Sequence, residues 1–272
     1  MLESCADMKM LWLTDIHLEF LDAHQQHRFL DELRAYEADG ILISGDIAQA
    51  PTISEDLARL EAALETPIYF VLGNHDFYRG SISEVRTTIR KQARGSKYLR
   101  WLSGGSGVPL STKTCLVGHD GWGDARLGDY DGSQVQLNDF ELISELTGLS
   151  RSELRARLRS LGDEAAAHLR SVLPRALASA EHVIVLTHVP PFQEASWHNG
   201  SHSAPDWLPF FACKAVGDVL VDTMRKHKEK RMTVLCGHTH GGGRARILPN
   251  LVVLTGAATY GQPVVQEVLE WD

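Results

Sequence analysis

Five short apolar runs in this chain each end on residues that can hold a metal ion or move a proton. Met10-Leu11-Trp12-Leu13-Thr14 leads into Asp15-Ile16-His17, and Ile41-Leu42-Ile43-Ser44 leads into Gly45-Asp46. Pro67-Ile68-Tyr69-Phe70-Val71-Leu72 leads into Gly73-Asn74-His75-Asp76. His182-Val183-Ile184-Val185-Leu186-Thr187 ends at His188, and Thr233-Val234-Leu235-Cys236 ends at Gly237-His238-Thr239-His240. Runs this short and this rich in branched aliphatic residues read as buried strands. Segments with helical spacing follow each of the first three. Asp22 to Ala38 carries Phe29, Leu30, Leu33 and Tyr36 on one face and stops at Gly40. Ser54 to Leu64 has Ser54 as its expected N-cap and Leu57, Leu60 and Leu64 as its stripe; Ser81 to Arg94 is the third. This alternation restricts the chain to parallel βαβ units. Parallel strands deliver the residues at their carboxyl ends to one edge of the sheet.

The middle of the chain breaks the alternation. Between Leu99 and Gly118, β-like runs are interrupted by Gly104-Gly105-Ser106-Gly107 and by Ser111, so hairpins are predicted there. Asp120 to Gly132 is a loop rich in Gly and Asp, with Trp122 as its expected hydrophobic anchor. Gln136 to Pro174 is helical in character, and Ser150 with Glu153 forms a capping box. Leu154, Leu158, Leu161, Leu169 and Leu173 give it a buried face, with Gly162 as an expected interruption. After His188, Pro190 and Pro191 forbid regular structure. The loop over 192–210 is placed to act as a lid, and a helix follows from about Phe211 to Lys228. Arg244 to Leu248, Leu251 to Thr255 and Val264 to Leu269 read as closing β segments. Without repeat or linker, residues 1–272 are expected to form one domain, with a helical insertion near 136–175.

Composition narrows the classes. The formal net charge of −8 does not favour sequence-independent binding to a nucleic-acid backbone. Cys5, Cys115, Cys213 and Cys236 form no C-x-x-C pair, which fits a reducing compartment. Met1 to Lys9 holds Glu3 and Asp7 and lacks the basic region and apolar stretch of a signal peptide. No apolar run is long enough to span a bilayer. A soluble cytoplasmic protein without membrane association is expected.

Taken singly, D-x-H and G-D are common at turns, where Asp and Asn are favoured. Their order and their context after apolar runs carry the signal. The series Asp15, His17; Asp46; Asn74, His75, Asp76; His188; His238, His240 resembles the D-x-H, G-D, G-N-H-D/E, H and G-H-x-H pattern of the calcineurin-like metallophosphoesterases, with every position filled. The resemblance spans residues 11 to 240. It implies an α/β fold, a four-layer α/β/β/α sandwich with two facing mixed sheets.

By the same resemblance, Asp15, His17 and His240 bind one divalent cation, Asn74, His188 and His238 bind a second, and Asp46 bridges both. A carboxylate has two oxygens and can span two cations, whereas an imidazole offers one free nitrogen. The O and N donor set suits Mn²⁺, Fe or Zn²⁺. The implied reaction is hydrolysis of a phosphodiester or phosphomonoester by a hydroxide bridging two cations roughly 3.5–4 Å apart. His75 would bind the phosphate and protonate the leaving alkoxide, with Asp76 holding its other ring nitrogen. The chain departs from the protein phosphatases, which carry G-D-x-V-D-R-G and G-N-H-E. It departs also from the small cyclic-nucleotide phosphodiesterases, having Thr187-His188-Val189-Pro190-Pro191 in place of H-H-P-P. A small-molecule or nucleotide phosphoester is therefore favoured over a polymer; a nuclease of the same family is the alternative.

Four more residues are candidates for substrate contact. Arg126 could meet a phosphate and His119 could line the pocket, against solvent exposure or local turn bonding. His198 and His202 sit in the 192–210 loop, against a solvated loop. Arg151, Arg155, Arg157, Arg159, Arg170 and Arg175 are read as the solvated side of a helix, offset by Glu153, Asp163 and Glu164, rather than as a basic binding face. A catalytically silent scaffold that binds a protein partner is the reading from another class. The complete ligand set, His75 included, argues against it. Oligomeric state is not encoded in any feature of the sequence.

Overall fold

The computed structural model describes residues 8–271; the reading of Met1–Lys9 and of Cys5 falls almost wholly outside them. In chain order, β1 (Met8–Leu13), α1 (Ala23–Arg34), β2 (Gly40–Ser44), α2 (Ile53–Leu64), β3 (Ile68–Val71), α3 (Ile82–Gly95) and β4 (Leu99–Trp101) form the amino-terminal half. β5 (Val108–Pro109), β6 (Thr114–His119), α4 (Asp139–Leu142), α5 (Arg151–Ser179) and β7 (His182–Thr187) follow. The remainder is β8 (Trp197–His198), β9 (Ser201–His202), α6 (Leu208–Phe211), α7 (Lys214–Lys226), β10 (Arg231–Cys236), β11 (Gly243–Leu248), β12 (Leu251–Thr255) and β13 (Glu267–Trp271).

The strands make two mixed sheets, ordered β13-β1-β2-β3-β4 and β11-β12-β10-β7-β6-β5, plus the β8-β9 hairpin. Strand alternation decides which face of each sheet meets what. Met10, Trp12, Leu42 and Val71 point inward to meet Leu116, Ile184, Leu186 and Leu235 of the other sheet. Leu11, Leu13, Ile41, Ile43, Ile68 and Phe70 face out onto Phe29, Leu33, Leu57, Leu60 and Ile89 of α1, α2 and α3. On the other side Val117, Val183, Val185 and Val234 face Leu169, Leu173, Leu220 and Met224 of α5 and α7. Both faces of both sheets are thereby covered, giving four layers, α/β/β/α. Near-continuous apolar strands are what such two-sided burial requires.

Several local expectations are corrected. Leu99–Trp101 does not join a hairpin; it pairs parallel to β3, completing a third crossover through α3, and only β5-β6 is antiparallel there. Ser54 lies inside the first turn of α2, whose N-cap position is Thr52; the Ser54 hydroxyl donates to Gln92 at 2.7 Å. Gly162 does not interrupt α5. It lets that helix close against Asp124, whose Cβ would sit 2.5 Å from an added Cβ. Nor does α5 stop at Pro174; it runs to Ser179. Its length lets Leu158 and Leu161 pack with one outer core and Leu169 and Leu173 with the other. The helix predicted over Phe211–Lys228 is split, because Ala212 is extended and the Cys213 amide donates to the Pro190 carbonyl at 2.9 Å. The last strand begins at Glu267, leaving Val264 exposed. Among the described residues, no helix is long and apolar enough to cross a membrane.

Candidate metal centre

The carboxyl ends of β1, β2, β3, β7 and β10 lie at one edge of the sandwich, and the loops leaving them are tied together by backbone bonds. The Asp15 amide donates to the Gly45 carbonyl and the His17 amide to the Asp46 carbonyl, both at 3.0 Å. The Gly237 amide donates to the His188 carbonyl at 2.9 Å. Close approach demands glycine at two points. An added Cβ on Gly73 would lie 2.1 Å from Asp46 Oδ1, and one on Gly45, already at φ +95°, would lie 2.6 Å from His188 Nδ1. Asp15, His17, Asp46, His238 and His240 all adopt positive φ, between 42° and 72°. Left-handed backbone is costly for residues with a Cβ, and its concentration here marks a built site rather than a set of ordinary turns.

Side-chain donors converge in two adjoining groups. In the first, Asp15, His17, Asp46 and His240 each offer a donor atom, all within 4.8 Å of one another. His17 Nε2 lies 3.3 Å from His240 Nε2 and 3.7 Å from Asp46 Oδ2. In the second, Asn74 Oδ1 lies 3.1 Å from His188 Nε2 and 2.9 Å from His238 Nδ1. His188 Nε2 is also 3.4 Å from Asp46 Oδ1. Asp46 thus presents one oxygen to each group.

The outer ring nitrogens show why these donors fit cations. His188 Nδ1 is 2.8 Å from the Ser44 carbonyl, His238 Nε2 is 3.2 Å from the Phe210 carbonyl, and His17 Nδ1 is 3.3 Å from Glu19 Oε1. Each of those acceptors holds the ring proton on the outer nitrogen and leaves the inner nitrogen as a bare lone pair. The bare nitrogens His238 Nδ1 and His188 Nε2 face one another at 3.2 Å with no hydrogen to share. Without cations the electrostatics conflict. Burial alone would lower His188, yet the Asp46 carboxylate lifts it to about 10. Burial and the neighbouring His188 push His238 down to about 3. Burial alone would raise the Asp46 carboxyl, but His188 and His75 hold it well below the usual range. Positive charge between these donors would relieve both the facing lone pairs and the carboxylates.

A family model described as "Calcineurin-like phosphoesterase" matches residues 8–242. The chain belongs to the calcineurin-like phosphoesterases. Solved structures share the fold of this phosphoesterase at low identity. The phosphopantetheinyl hydrolase of Mycobacterium tuberculosis superposes with a TM-score of 0.69 at 13% identity, covering 95% of this chain and 92% of that one. A dimetal phosphatase of Danio rerio gives 0.58 at 15% identity, covering 95% and 90%. No curated protein sequence matches the chain.

Residues singled out from sequence fall into three groups in this phosphoesterase. Asp15, His17, Asp46, Asn74, His188, His238 and His240 lie together as described. His75 lines the adjoining cleft, its amide bonded to Asp46 Oδ1 at 2.8 Å and its ring stacked on Tyr78 at 4.2 Å. Burial would lower His75, but the Asp46 and Glu19 carboxylates lift it to about 9. His198 also lines the cleft.

The others are elsewhere. Asp76 does not hold the His75 ring. The short 3₁₀ turn after Asn74 aims it inward, where it accepts from the amides of Ile47, Ala48 and Gly73 at 2.7 to 2.9 Å. His119 is buried behind the centre, accepting from the Gly121 amide at 3.1 Å and packed on His168. Arg126 is spent on Asp124 and Asp163. His202 is exposed and stacks on Trp197. Glu164 pairs with Arg86 rather than with the arginines of α5. Arg151 and Arg155 are not merely solvated: both lie over the Tyr130 ring, at 4.7 and 4.4 Å. Trp122 anchors its loop against Phe77 at 5.6 Å.

Four contributors escaped the sequence reading. Glu19 stands 3.3 Å from His17 Nδ1 and 3.8 Å from His75 Nδ1. Its Oε2 and the His75 Nδ1 are both buried without a hydrogen-bond partner. Asp139 accepts from Asn74 Nδ2 at 2.8 Å and from the Tyr78 hydroxyl at 2.7 Å, which turns Asn74 Oδ1 toward the histidines. Tyr260 covers His17 and His240 at 4.7 and 4.8 Å. Asp120 accepts from the Leu72 amide at 2.8 Å, just ahead of the Gly73 turn. Glu19 had a sequence cue, lying two residues beyond His17, and Asp120 had one in following a strand directly.

Proposed function

We propose that this phosphoesterase is a hydrolase of small phosphoesters that works with two divalent cations. Asp15, His17 and His240 hold one, Asn74, His188 and His238 hold the other, and Asp46 is shared. The observation that carries the reading is the set of inner nitrogens left bare by fixed acceptors around Asp46. The chemistry such a pair supplies is neutralisation of phosphoryl charge and a water acidic enough to attack at neutral pH. The donor set accommodates Mn²⁺, Fe or Zn²⁺ alike.

The chain's own residues do the rest. His75 meets a phosphoryl oxygen and passes a proton to the leaving alkoxide. Glu19, rather than Asp76, is the carboxylate that faces His75 Nδ1, 3.8 Å away, and its charge orients the ring. Asp139 fixes the Asn74 amide, and the Ser44 and Phe210 carbonyls fix the histidine tautomers. The unit that does this is a single domain to which the 136–175 segment contributes an outer layer. Nucleic acid is not favoured as substrate, given the net charge of −8.

Metal content after loading, measured with turnover of nitrophenyl and alkyl phosphates, tests the reading. Near two equivalents with turnover is expected; neither would favour a silent scaffold. His75→Ala is expected to keep its metal and lose about 10²–10⁴-fold on an alkyl leaving group, but much less on nitrophenolate, which needs little protonation. Equal losses on both would remove His75 from the acid role.

A further inference from the structure

The cleft over the centre, about 560 Å³, is lined by no lysine or arginine among the described residues. Its only nitrogen bases are imidazoles, those of His75, His198, His238 and His240. A second phosphate or a nucleic-acid backbone would find no fixed cation beyond the metal centre. Asp139 adds acidity to that wall rather than relieving it.

What the cleft offers instead is aromatic and neutral. One wall is a relay from mouth to centre: His198 on Trp207 at 4.9 Å, Trp207 on Phe211 at 4.9 Å, and Phe211 edge-on to His238 at 5.0 Å. Tyr260, also in the lining, packs on Phe20 at 4.7 Å, yet both remain about half exposed, at 47% and 49%. Exposed aromatic rings at the rim of a site are binding surface in search of a flat partner. Gln136, Asn138 and Asn199 add carboxamides, which can donate and accept at once. Thr239 Oγ1, in the same lining, is buried with no hydrogen-bond partner.

From this arrangement we infer that the cleft selects esters whose single phosphoryl group carries an uncharged, planar, hydrogen-bonding organic part, as in a nucleoside monophosphate. It discriminates against di- and triphosphates and against compact esters that cannot stack. The inference rests on the phosphoesterase reading above and assigns the specificity to Trp207 and Tyr260, which both line the cleft.

Matched pairs separate the two. For monoesters, adenosine 5′-phosphate is compared with glycerol 3-phosphate and adenosine 5′-diphosphate. For diesters, adenosine 5′-(methyl phosphate) is compared with dimethyl phosphate. In whichever class turns over, the adenosine ester is expected to lead its compact partner by about 10- to 100-fold in kcat/KM, the scale of one stacked base. The diphosphate is expected to fall behind the monophosphate by about 10-fold or more. Tyr260→Ala and Trp207→Ala should erase the lead, lowering kcat/KM of the adenosine ester about 10- to 100-fold more than that of its compact partner, and abolish calorimetric binding of adenosine; Trp207→Phe should restore much of it. Tyr260, being half exposed, tests the idea even if Trp207→Ala misfolds. Equal rates on adenosine and compact esters, or a diphosphate handled as well as the monophosphate, would overturn the inference and leave the phosphoesterase reading intact. No turnover of any ester by metal-loaded protein would instead overturn that reading.

Discussion

Asp120 offers the sharpest test of how the centre is supported. Its side chain is fully buried, and its Oδ1 accepts from the Leu72 amide at 2.8 Å, Trp101 Nε1 at 3.0 Å and Ser103 Oγ at 2.5 Å. Its Oδ2 takes Arg86 Nε at 3.0 Å, and its carbonyl takes the His188 amide at 2.9 Å. Asp120→Ala would leave the Arg86 guanidinium, 11% exposed, with the half-exposed Glu164 as its one remaining salt-bridge partner among the described residues. Breaking a buried pair on one side costs about 3–5 kcal/mol, and the Leu72 and Trp101 donors left behind keep the cost from falling below that range. At roughly 2–4 °C per kcal/mol for a chain near this size, the melting temperature should drop by about 10 °C. Urea unfolding of the wild type, Asp120→Ala, Arg86→Met and the double variant would give the coupling directly. A coupling of at least about 2 kcal/mol is expected. Metal content should fall in Asp120→Ala, because the Leu72 amide loses its acceptor just ahead of the Gly73-Asn74 turn. A single-variant cost under about 1 kcal/mol, or strict additivity in the cycle, would refute the reasoning.

Other expectations follow from the same geometry. Glu19→Gln keeps the size but weakens the acceptor for His17 and His75, so metal affinity or turnover should fall about 10- to 100-fold, read by metal titration and kinetics; an unchanged variant would return Glu19 to a surface role. Asp46→Asn should disturb both cations, and full occupancy by elemental analysis would disprove a shared ligand. Burial and nearby Arg86 and His168 hold His119 down to about 3, with Asp120 opposing them. The unfolded chain therefore takes up a proton near pH 6.5 that the fold does not accept. Stability should be fully present above about pH 6.5 and decline as pH falls toward 3, by at most about 1.4 kcal/mol per pH unit from this group. His119→Gln should flatten urea midpoints between pH 7 and 5; an unchanged slope would show that His119 is not the group responsible.

The layering was legible because the strands are short, apolar on both faces and followed at once by turn residues. Leu11 and Trp12 needed only the pleat to send them to opposite cores. Leu99–Trp101 was not, since three residues carry too little pattern to distinguish a parallel edge strand from a hairpin arm. The candidate ligands were recognisable as residues standing at strand ends. Their supports were not, because two are backbone carbonyls, of Ser44 and Phe210, which look alike in every sequence. Asp139 acts on Asn74 from 65 positions away, from a helix of only four residues. Asp76 misled because adjacency to His75 says nothing about direction, and a 3₁₀ turn points neighbouring side chains apart.

The β8-β9 hairpin has a consequence for how such a protein could diversify. Trp197 bridges to Gly241 and crowds Gly243 so closely that a Cβ there would lie 2.2 Å from its indole nitrogen. The hairpin is thus clamped to the segment that follows the last ligand, while its tip, Asn199 and Gly200, projects into the opening without bearing on any donor. Changes at that tip can alter what enters while the converging donors stay in register, so new appetites can evolve here without rebuilding the machinery beneath them.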